Sequence, residues 1–284
     1  MSNWSFINDQ FIKEEKAVLH ISDLSIQRGY GIFDFFKVRS GFPIYLDDHL
    51  ERFYGSAKEM RLHIDYTPDQ LKEFIFHLLQ INAAENSGVR MTLTGGYSPD
   101  GYLLSKPNLI LSLRPFAAQT KEQFEMGIKL ITYEHVRQLP HIKTIDYLMA
   151  IWLQPLIRQN SADDVLYHQN GVASECPRSN FFIVTSEDKI VTPSKNILKG
   201  IMRTKLIEVA KQQFKVEERD VSIEEIKTAK EAFITSTTKT ILPVRQIDEY
   251  VFPEPGKITR QLYHFLDELQ LRQNSFVRNK SKLV

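Results

Sequence analysis

One lysine stands among apolar neighbours near the middle of the chain, in the stretch Pro140-His141-Ile142-Lys143-Thr144-Ile145-Asp146-Tyr147. A lysine in a poorly solvated pocket loses part of its preference for the charged form. The neutral amine is then both a nucleophile towards carbonyl groups and a usable base. Lys143 is therefore a candidate for a residue that forms a Schiff base, although most lysines are exposed and Lys143 taken alone would be interpreted as a surface residue.

Two further stretches could bind an anion. In Leu198-Lys199-Gly200-Ile201-Met202-Arg203 a glycine opens a helix, so the backbone N–H groups of Ile201 and Met202 would be unpaired and could hold a phosphate. In Ile234-Thr235-Ser236-Thr237-Thr238-Lys239, small hydroxyl residues follow an apolar strand and could donate hydrogen bonds to an anion. The ordinary alternatives are a glycine that ends a loop and a solvated turn.

A third stretch, Ala173-Ser174-Glu175-Cys176-Pro177-Arg178-Ser179-Asn180-Phe181-Phe182, places an acidic residue between a turn and an apolar strand. In chain order these stretches resemble the class IV aminotransferases of fold type IV, pyridoxal-phosphate enzymes that include D-amino acid transaminases, branched-chain aminotransferases and aminodeoxychorismate lyase. The N-terminal part agrees, with Asp23, Gly29 to Lys37 and His49-Leu50-Glu51-Arg52-Phe53 in the family's order. The resemblance spans nearly the whole chain.

The resemblance implies a role for each stretch. Lys143 would hold the cofactor, pyridoxal 5′-phosphate, covalently and would also move the substrate's proton. Glu175 would face the pyridine nitrogen and keep it protonated, so that the ring accepts electrons. The residues implied at the cofactor's phosphate are Arg52, Ile201, Met202, Ser236 and Thr237.

The substrate site departs from the pattern of D-amino acid transaminases, which carry a tyrosine near the strand start and an Arg-x-His trap for the substrate carboxylate. The matching positions here are Phe33 and Asp100-Gly101-Tyr102. A carboxylate in a dry pocket still needs a counter-charge, and Asp100 would repel it. An arginine that pairs with a nearby acid such as Asp34 would only hold its loop. The residues expected at the substrate are Arg28, which could reach in from the neighbouring subunit, Arg90, Arg178, Phe33 and Thr238.

Different stretches of the chain are similar to family members that act on different substrates. Lys143-Thr144-Ile145-Asp146 and Thr235-Ser236-Thr237-Thr238 are similar to D-amino acid transaminases, whereas Gly200-Ile201-Met202-Arg203 and Ser174-Glu175-Cys176 are similar to aminodeoxychorismate lyase. Branched-chain enzymes also have an arginine near the position of Arg90. We interpret the chain as a D-amino acid transaminase with an altered carboxylate site. The alternatives are a branched-chain L-aminotransferase, the lyase, and a cofactor-binding protein that does not catalyse a reaction.

Composition is that of an ordinary globular protein. The chain has 284 residues, of which 42% are hydrophobic, enough for one large domain or two modest ones. Its 36 basic and 35 acidic residues give no indication of a nucleic-acid or membrane surface. Cys176 is the single cysteine and cannot form an internal disulfide, and the opening residues lack a targeting pattern. These features predict a cytoplasmic protein.

Periodicity predicts a mixed α/β fold. Thr67-Pro68 is a helix start, and an apolar face follows it at Leu71, Phe74, Ile75, Leu78 and Leu79. In residues 89–94, Val89, Met91 and Leu93 alternate with polar residues, so Arg90 points away from the apolar face. Trp4–Asn8 and Ala17–Ile21 are predicted strands.

We predict a smaller N-terminal domain (1–116), a linker (117–123) and a larger cofactor-binding domain (124–284). The resemblance further implies the two-domain architecture of fold type IV, with the cofactor in the interdomain cleft, and a homodimer.

Overall fold

The structure is a computed structural model that describes residues 3–115, 119–252 and 256–280. The described chain divides into two compact units, one with residues 3–115, 142–146 and 272–280 and the other with residues 119–141, 147–252 and 256–271. Each unit combines a β-sheet with helices, so the predicted mixed α/β class is confirmed. Residues 142–146, which we assigned to the C-terminal domain, belong to the first unit because Thr144 bridges to Ile32 at the start of a strand.

The described residues of the first unit form six strands and three complete α-helices, besides a 3-10 helix and the end of a helix that begins in the second unit. The strands are β1 (Trp4–Ile7), β2 (Gln10–Lys13), β3 (Gly31–Arg39), β4 (Phe42–Pro43), β5 (Ser87–Thr94) and β6 (Leu109–Arg114). They form one antiparallel sheet in the order β2-β1-β6-β5-β3-β4. The helices are α1 (Leu24–Arg28), α2 (Leu46–Glu59) and α3 (Pro68–Ile81), and a short 3-10 helix covers Glu14–Lys16.

The helix and strand predicted from periodicity in this unit are confirmed. The Thr67 hydroxyl accepts a hydrogen bond from the Gln70 N–H, the Gln70 side chain accepts one from the Thr67 N–H, and Pro68 follows the cap. This reciprocal cap satisfies two of the N–H groups that a helix start leaves unpaired. Val89 and Met91 are fully buried in the core of the unit, and Arg90 between them is only half-buried.

The predicted strand at Ala17–Ile21 is wrong. The turn at Asn8, whose φ is 58°, leads directly into β2 at Gln10, so the partner of β1 comes earlier than expected. Val18 and Ile21 are each 74% exposed, and their apolar character therefore does not reflect a buried strand.

The second unit is organised on a larger sheet. Its strands are β7 (Ile128–Glu134), β8 (Asp164–Gln169), β9 (Val172–Ala173), β10 (Glu175–Cys176), β11 (Ser179–Val184), β12 (Ile190–Thr192), β13 (Val216–Glu218), β14 (Val221–Ser222), β15 (Glu231–Ser236), β16 (Thr240–Ile247) and β17 (Tyr250–Val251). The path is β13-β12-β11-β15-β16-β7-β8-β9-β14, with β10 beside β11 and β17 beside β16. Pairing is parallel between β7 and each of its neighbours and between β12 and β13.

The helices of the second unit begin with α4 (Lys121–Met126), α5 (Leu148–Trp152) and α6 (Gln154–Gln159), followed by α7 (Ile201–Ala210), α8 (Ile223–Ile226) and α9 (Lys257–Lys280), whose end from residue 272 belongs to the first unit. The predicted linker is therefore helical from Lys121, because Thr120 and Gln123 form a capping box that a polar composition alone does not distinguish from a loop. Residues 117 and 118 of that linker lie outside the described residues. Among the described helices, none combines the length and apolarity that crossing a bilayer requires.

Candidate functional site

Lys143 lies on a short segment that is bonded to the start of β3 on both sides. Its carbonyl accepts a hydrogen bond of 3.0 Å from the Phe33 N–H, and the Ile145 N–H donates one of 3.0 Å to the Gly31 carbonyl. A Cβ at Gly31 would lie 2.8 Å from the Leu93 carbonyl oxygen of β5 and 3.1 Å from the Ile145 Cδ1, so a glycine is needed for both close approaches. The main chain around Lys143 is therefore held against the sheet.

Two cationic side chains share the ring of Phe33. The Nζ of Lys143 lies 4.6 Å from the ring centroid, and the guanidinium carbon of Arg90 lies 4.0 Å from it. The Arg90 Nε also donates a hydrogen bond of 3.3 Å to the Thr92 hydroxyl. The structure thus brings together Lys143, Phe33 and Arg90, three residues predicted at the reaction centre and the substrate.

Arg52 is held by a buried carboxylate. Helix α2 presents His49 and Arg52 one turn apart, and both contact Asp34, which is fully buried. The Arg52 Nε and Nη2 each donate a hydrogen bond of 2.8 Å to Asp34, and the His49 Nδ1 lies 2.6 Å from the same carboxylate. Sequence reasoning did not identify Asp34 as the partner of Arg52 and His49.

The charges around Asp34 set its protonation and that of His49. Burial alone would raise the pKa of Asp34, but the Arg52 charge and the hydrogen bonds from both side chains hold it well below the ordinary value. Burial lowers the pKa of His49 despite the neighbouring Asp34 charge, and the positive charges of Arg52 and Lys143 lower it further. His49 is thus neutral at pH 7 and donates its Nδ1 proton to Asp34.

One guanidinium nitrogen of Arg52, Nη1, can donate hydrogen bonds to another group. Its Nε and Nη2 are used by Asp34, whereas its Nη1 has no hydrogen-bond partner among the described residues. The side chain is 14% exposed, so the guanidinium is held firmly but is not sealed in the core. Such a guanidinium can donate to a phosphate oxygen without first being reoriented.

Glu175 lies in β10 of the second unit and is 4% exposed. One carboxylate oxygen accepts a hydrogen bond of 2.9 Å from the Arg137 Nε, and the other accepts one of 2.9 Å from the Leu198 N–H and one of 3.3 Å from the Asn180 amide. Donors on both oxygens favour the ionised carboxylate. Sequence reasoning missed Arg137 and the role of Asn180, because neither residue type nor spacing distinguishes them from surface polar residues.

The start of α7 has no side-chain cap. Gly200 is the N-cap and supplies no side-chain cap, so the first N–H groups, those of Ile201 and Met202, receive no cap from it. Asn180 packs against Gly200 so closely that a Cβ there would lie 2.2 Å from the Asn180 Oδ1. The glycine predicted to open a helix is confirmed, and the structure shows why that position excludes a side chain.

The hydroxyl residues predicted at the phosphate form the turn between β15 and β16. The Ser236 hydroxyl accepts a hydrogen bond of 3.3 Å from the Lys239 N–H and lies 3.5 Å from the Thr238 hydroxyl. Ser236, Thr237 and Thr238 are each half-buried. The turn is therefore ordered by its own hydroxyl groups, and an anion-binding role for Ser236 and Thr237 stays a prediction.

The other charged residues considered for the substrate site lie at the end of a helix and in turns. Arg28, at the end of α1, is exposed, and its Nη1 donates to the Gln27 carbonyl at 2.9 Å. Arg178 is exposed in the turn between β10 and β11 of the second unit. Asp100 accepts hydrogen bonds of 2.9 Å from the N–H groups of Leu103 and Tyr102, which lower its pKa. Asp100 therefore stabilises its own loop.

Comparisons with known proteins place this geometry in context. The model of a family described as amino-transferase class IV matches residues 31–247. The D-alanine aminotransferase of Staphylococcus epidermidis is 29% identical over 265 residues, which cover 90% of this chain and 94% of that protein.

Solved structures show the same fold. The branched-chain amino acid aminotransferase of a T.th. strain, solved with pyridoxamine 5′-phosphate, is 21% identical and superimposes with a TM-score of 0.88 over 95% of this chain and 94% of the other. A Legionella pneumophila protein provisionally assigned as 4-amino-4-deoxychorismate lyase is 25% identical, with a TM-score of 0.82 over 90% of this chain and 97% of the other.

Proposed function

This chain belongs to the class IV aminotransferases, a family of pyridoxal-phosphate enzymes, and from that premise we propose that it moves an amino group between a D-amino acid and a 2-keto acid. The observation that carries the proposal is the shared ring of Phe33, which lies 4.6 Å from the Lys143 amine and 4.0 Å from the Arg90 guanidinium. An amine that can react with a carbonyl and a cation that can bind a carboxylate thus contact the same ring. The similarity to a D-alanine aminotransferase along most of the chain supports the D-configuration.

The residues present suit the cofactor. The Arg52 Nη1 is not used by Asp34, the N–H groups of Ile201 and Met202 lack a side-chain cap, and Ser236 and Thr237 lie in a hydroxyl-rich turn, so these residues would hold the phosphate. The absence of a side chain at Gly200 leaves room for Asn180, which packs against the start of α7. Pyridoxal phosphate, when bound, supplies a ring that accepts the electron pair left when the substrate's Cα–H bond breaks.

The chain's own residues then have distinct tasks. The Lys143 amine would anchor the cofactor and, as the free amine, would move the proton from the substrate's Cα to the cofactor's C4′. Glu175 would face the ring nitrogen and favour its protonated form, and the hydrogen bond from Arg137 holds the Glu175 carboxylate in place. The protein thereby supplies both a base for the substrate and a fixed negative charge for the ring nitrogen.

We propose that the protein is a cytoplasmic homodimer. The substrate's carboxylate would then be bound by Arg90 together with Arg28 of the second subunit. Arg28 is exposed in its own chain, which is compatible with a contact to a second subunit. Arg178 and Thr238, in the second unit, are proposed to line the remainder of the substrate site. Asp34 does not compete for these arginines, because it already binds Arg52 and His49.

The arginines make a specific prediction. A charge-assisted fork to a carboxylate is worth about 1.5–3 kcal/mol, or roughly one to two decades in kcat/KM. Arg28→Ala and Arg90→Ala should each lose about that much with amino acids and little with amines that lack the α-carboxylate. Equal losses with both substrate classes would show that the arginines only support the fold.

The function itself is tested by a screen of the half-reaction, in which the absorbance of the bound cofactor is followed after adding one amino donor. D-alanine and D-glutamate should convert the cofactor, and L-alanine and L-leucine should not. A response to L-leucine alone would identify a branched-chain enzyme. Turnover of 4-amino-4-deoxychorismate without an amino acceptor would identify the lyase, which the similarity of Gly200-Ile201-Met202-Arg203 to that enzyme keeps as a second candidate.

A further inference from the structure

The ring of Phe33 and the guanidinium of Arg90 lie on one face of the first unit's sheet. In the pairing of β3 with β5, Phe33 is opposite Thr92 and Phe35 is opposite Arg90, so these four side chains share a face. Asp34, between Phe33 and Phe35, points to the opposite face, where Arg52 and His49 bind it. The acidic residue of β3 is thus directed away from Arg90.

An aromatic ring and a carboxylate hold a guanidinium in different ways. A carboxylate binds the N–H edge and neutralises the charge, whereas a ring attracts the cation through its quadrupole and contacts the plane of the group. With the Arg90 guanidinium carbon 4.0 Å from the Phe33 centroid, the ring orients the guanidinium without using its N–H donors. The Nε contact with the Thr92 hydroxyl fixes one further edge.

We propose that Phe33 is a positioning residue, whose ring face holds Arg90 in the orientation that binds the substrate's α-carboxylate. Phe33 thereby sets the preference of the enzyme for amino acids over amines that lack this group. The inference rests on the proposed role of Arg90 in carboxylate binding. The positioning of Arg90 requires the aromatic face of Phe33, and it does not require a hydroxyl group on the ring.

The test compares variants that keep or remove the ring face. Phe33→Leu keeps apolar volume but has no ring, Phe33→Tyr keeps the ring, and pentafluorophenylalanine at position 33 keeps the shape but reverses the attraction for a cation. Phe35→Leu is the matched control, because Phe35 lies on the same face of the same strand and packs its ring over Gly88.

The readout is the ratio of inhibition constants for a short aliphatic carboxylate, propionate, and its neutral amide, propionamide. This ratio removes effects that act through Lys143, which also lies against the ring. Phe33→Leu and the fluorinated ring should each weaken propionate binding relative to propionamide by about 3- to 30-fold, the strength expected of a partly desolvated cation–π contact. Phe33→Tyr and Phe35→Leu should leave the ratio unchanged.

Several results would overturn the inference. Phe33→Leu and the fluorinated ring could leave the ratio unchanged, or Phe35→Leu could reduce it equally. A further loss when Phe33→Leu is added to Arg90→Ala would show that Phe33 does not act through Arg90. If Arg90→Ala itself leaves the ratio unchanged, the carboxylate role of Arg90 fails along with the inference. Failure of every amino acid to convert the wild-type cofactor instead refutes the proposed transaminase before any variant is compared.

Discussion

At the scale of single residues, Glu175 and Arg52 are each held by a side chain that lies far away in the sequence. Lys143 and Glu175 were identified because the stretches that contain them resemble, in chain order, those of class IV aminotransferases, whereas Lys143 taken alone would be interpreted as a surface residue. Arg137 lies 38 positions from Glu175, and Asp34 lies 18 positions from Arg52. Neither pair follows a periodic pattern, so only the folded chain reveals them.

Replacing Lys143 by alanine removes both the covalent anchor and the base. Transamination should fall by several orders of magnitude, while the cofactor still binds through its phosphate. Single-turnover kinetics with an amino donor, alongside equilibrium binding of pyridoxal phosphate, measure the two effects separately. Near-normal turnover in Lys143→Ala would remove the basis of the mechanism.

Glu175→Gln tests the negative charge at the ring nitrogen. Glutamine has nearly the shape of glutamate but cannot favour a protonated ring nitrogen, so proton abstraction from the substrate should slow more than cofactor affinity declines. The half-reaction rate per bound cofactor is the relevant measurement. An unchanged rate with a collapse of cofactor affinity would assign Glu175 a structural role only.

At the scale of elements, local signals were sufficient for some parts of the chain and misleading for others. Helix α3 was predictable because its cap and apolar face lie within fifteen residues, Thr67 to Ile81. The start of α4 was mistaken for a linker, since its capping box is embedded in a polar stretch. The apolar residues of Ala17–Ile21 predict a strand, but they are exposed in the folded chain and form none.

Gly200→Ala tests the open start of α7. The added Cβ would lie 2.2 Å from the Asn180 Oδ1, so either the helix start or the Asn180 contacts with Glu175 and Leu198 must shift. Affinity for pyridoxal phosphate should fall about tenfold or more, and affinity for pyridoxal, which lacks the phosphate, should fall less.

Gly55→Ala is the matched control, because Gly55 lies within α2 and a Cβ there meets no atom within 4 Å. It should leave cofactor affinity unchanged and add about 0.5–1 kcal/mol of stability, as alanine does in a helix interior. Equal pyridoxal phosphate affinity in Gly200→Ala and the wild type would show that the start of α7 does not bind the phosphate.

At the scale of the whole molecule, the buried group of Asp34, His49 and Arg52 makes stability depend on pH. The pKa of His49 is lowered from 6.5 in the folded protein, so below about pH 6.5 the unfolded chain binds a proton that folded His49 does not. The free energy of unfolding should therefore decrease as pH falls, by up to about 1.4 kcal/mol per pH unit. The pKa of Asp34 is also lowered, so the free energy of unfolding decreases further when the pH falls below 3.8, the ordinary pKa of an aspartate.

Denaturant unfolding between pH 7 and 5 measures this dependence. His49→Asn should flatten the slope, whereas His63→Asn, at a side chain that is 82% exposed, should leave it as in the wild type. A wild-type slope of the opposite sign, or an identical slope in His49→Asn, would refute a neutral buried His49.

The most direct test of a D-amino acid transaminase is the configuration of its product. The purified protein is incubated with D-alanine and 2-oxoglutarate, and the glutamate formed is resolved by chiral chromatography. We predict that pyruvate and D-glutamate appear in equal amounts, and that L-alanine in place of D-alanine yields neither product. Formation of L-glutamate, or amino transfer from L-alanine alone, would contradict the proposed function.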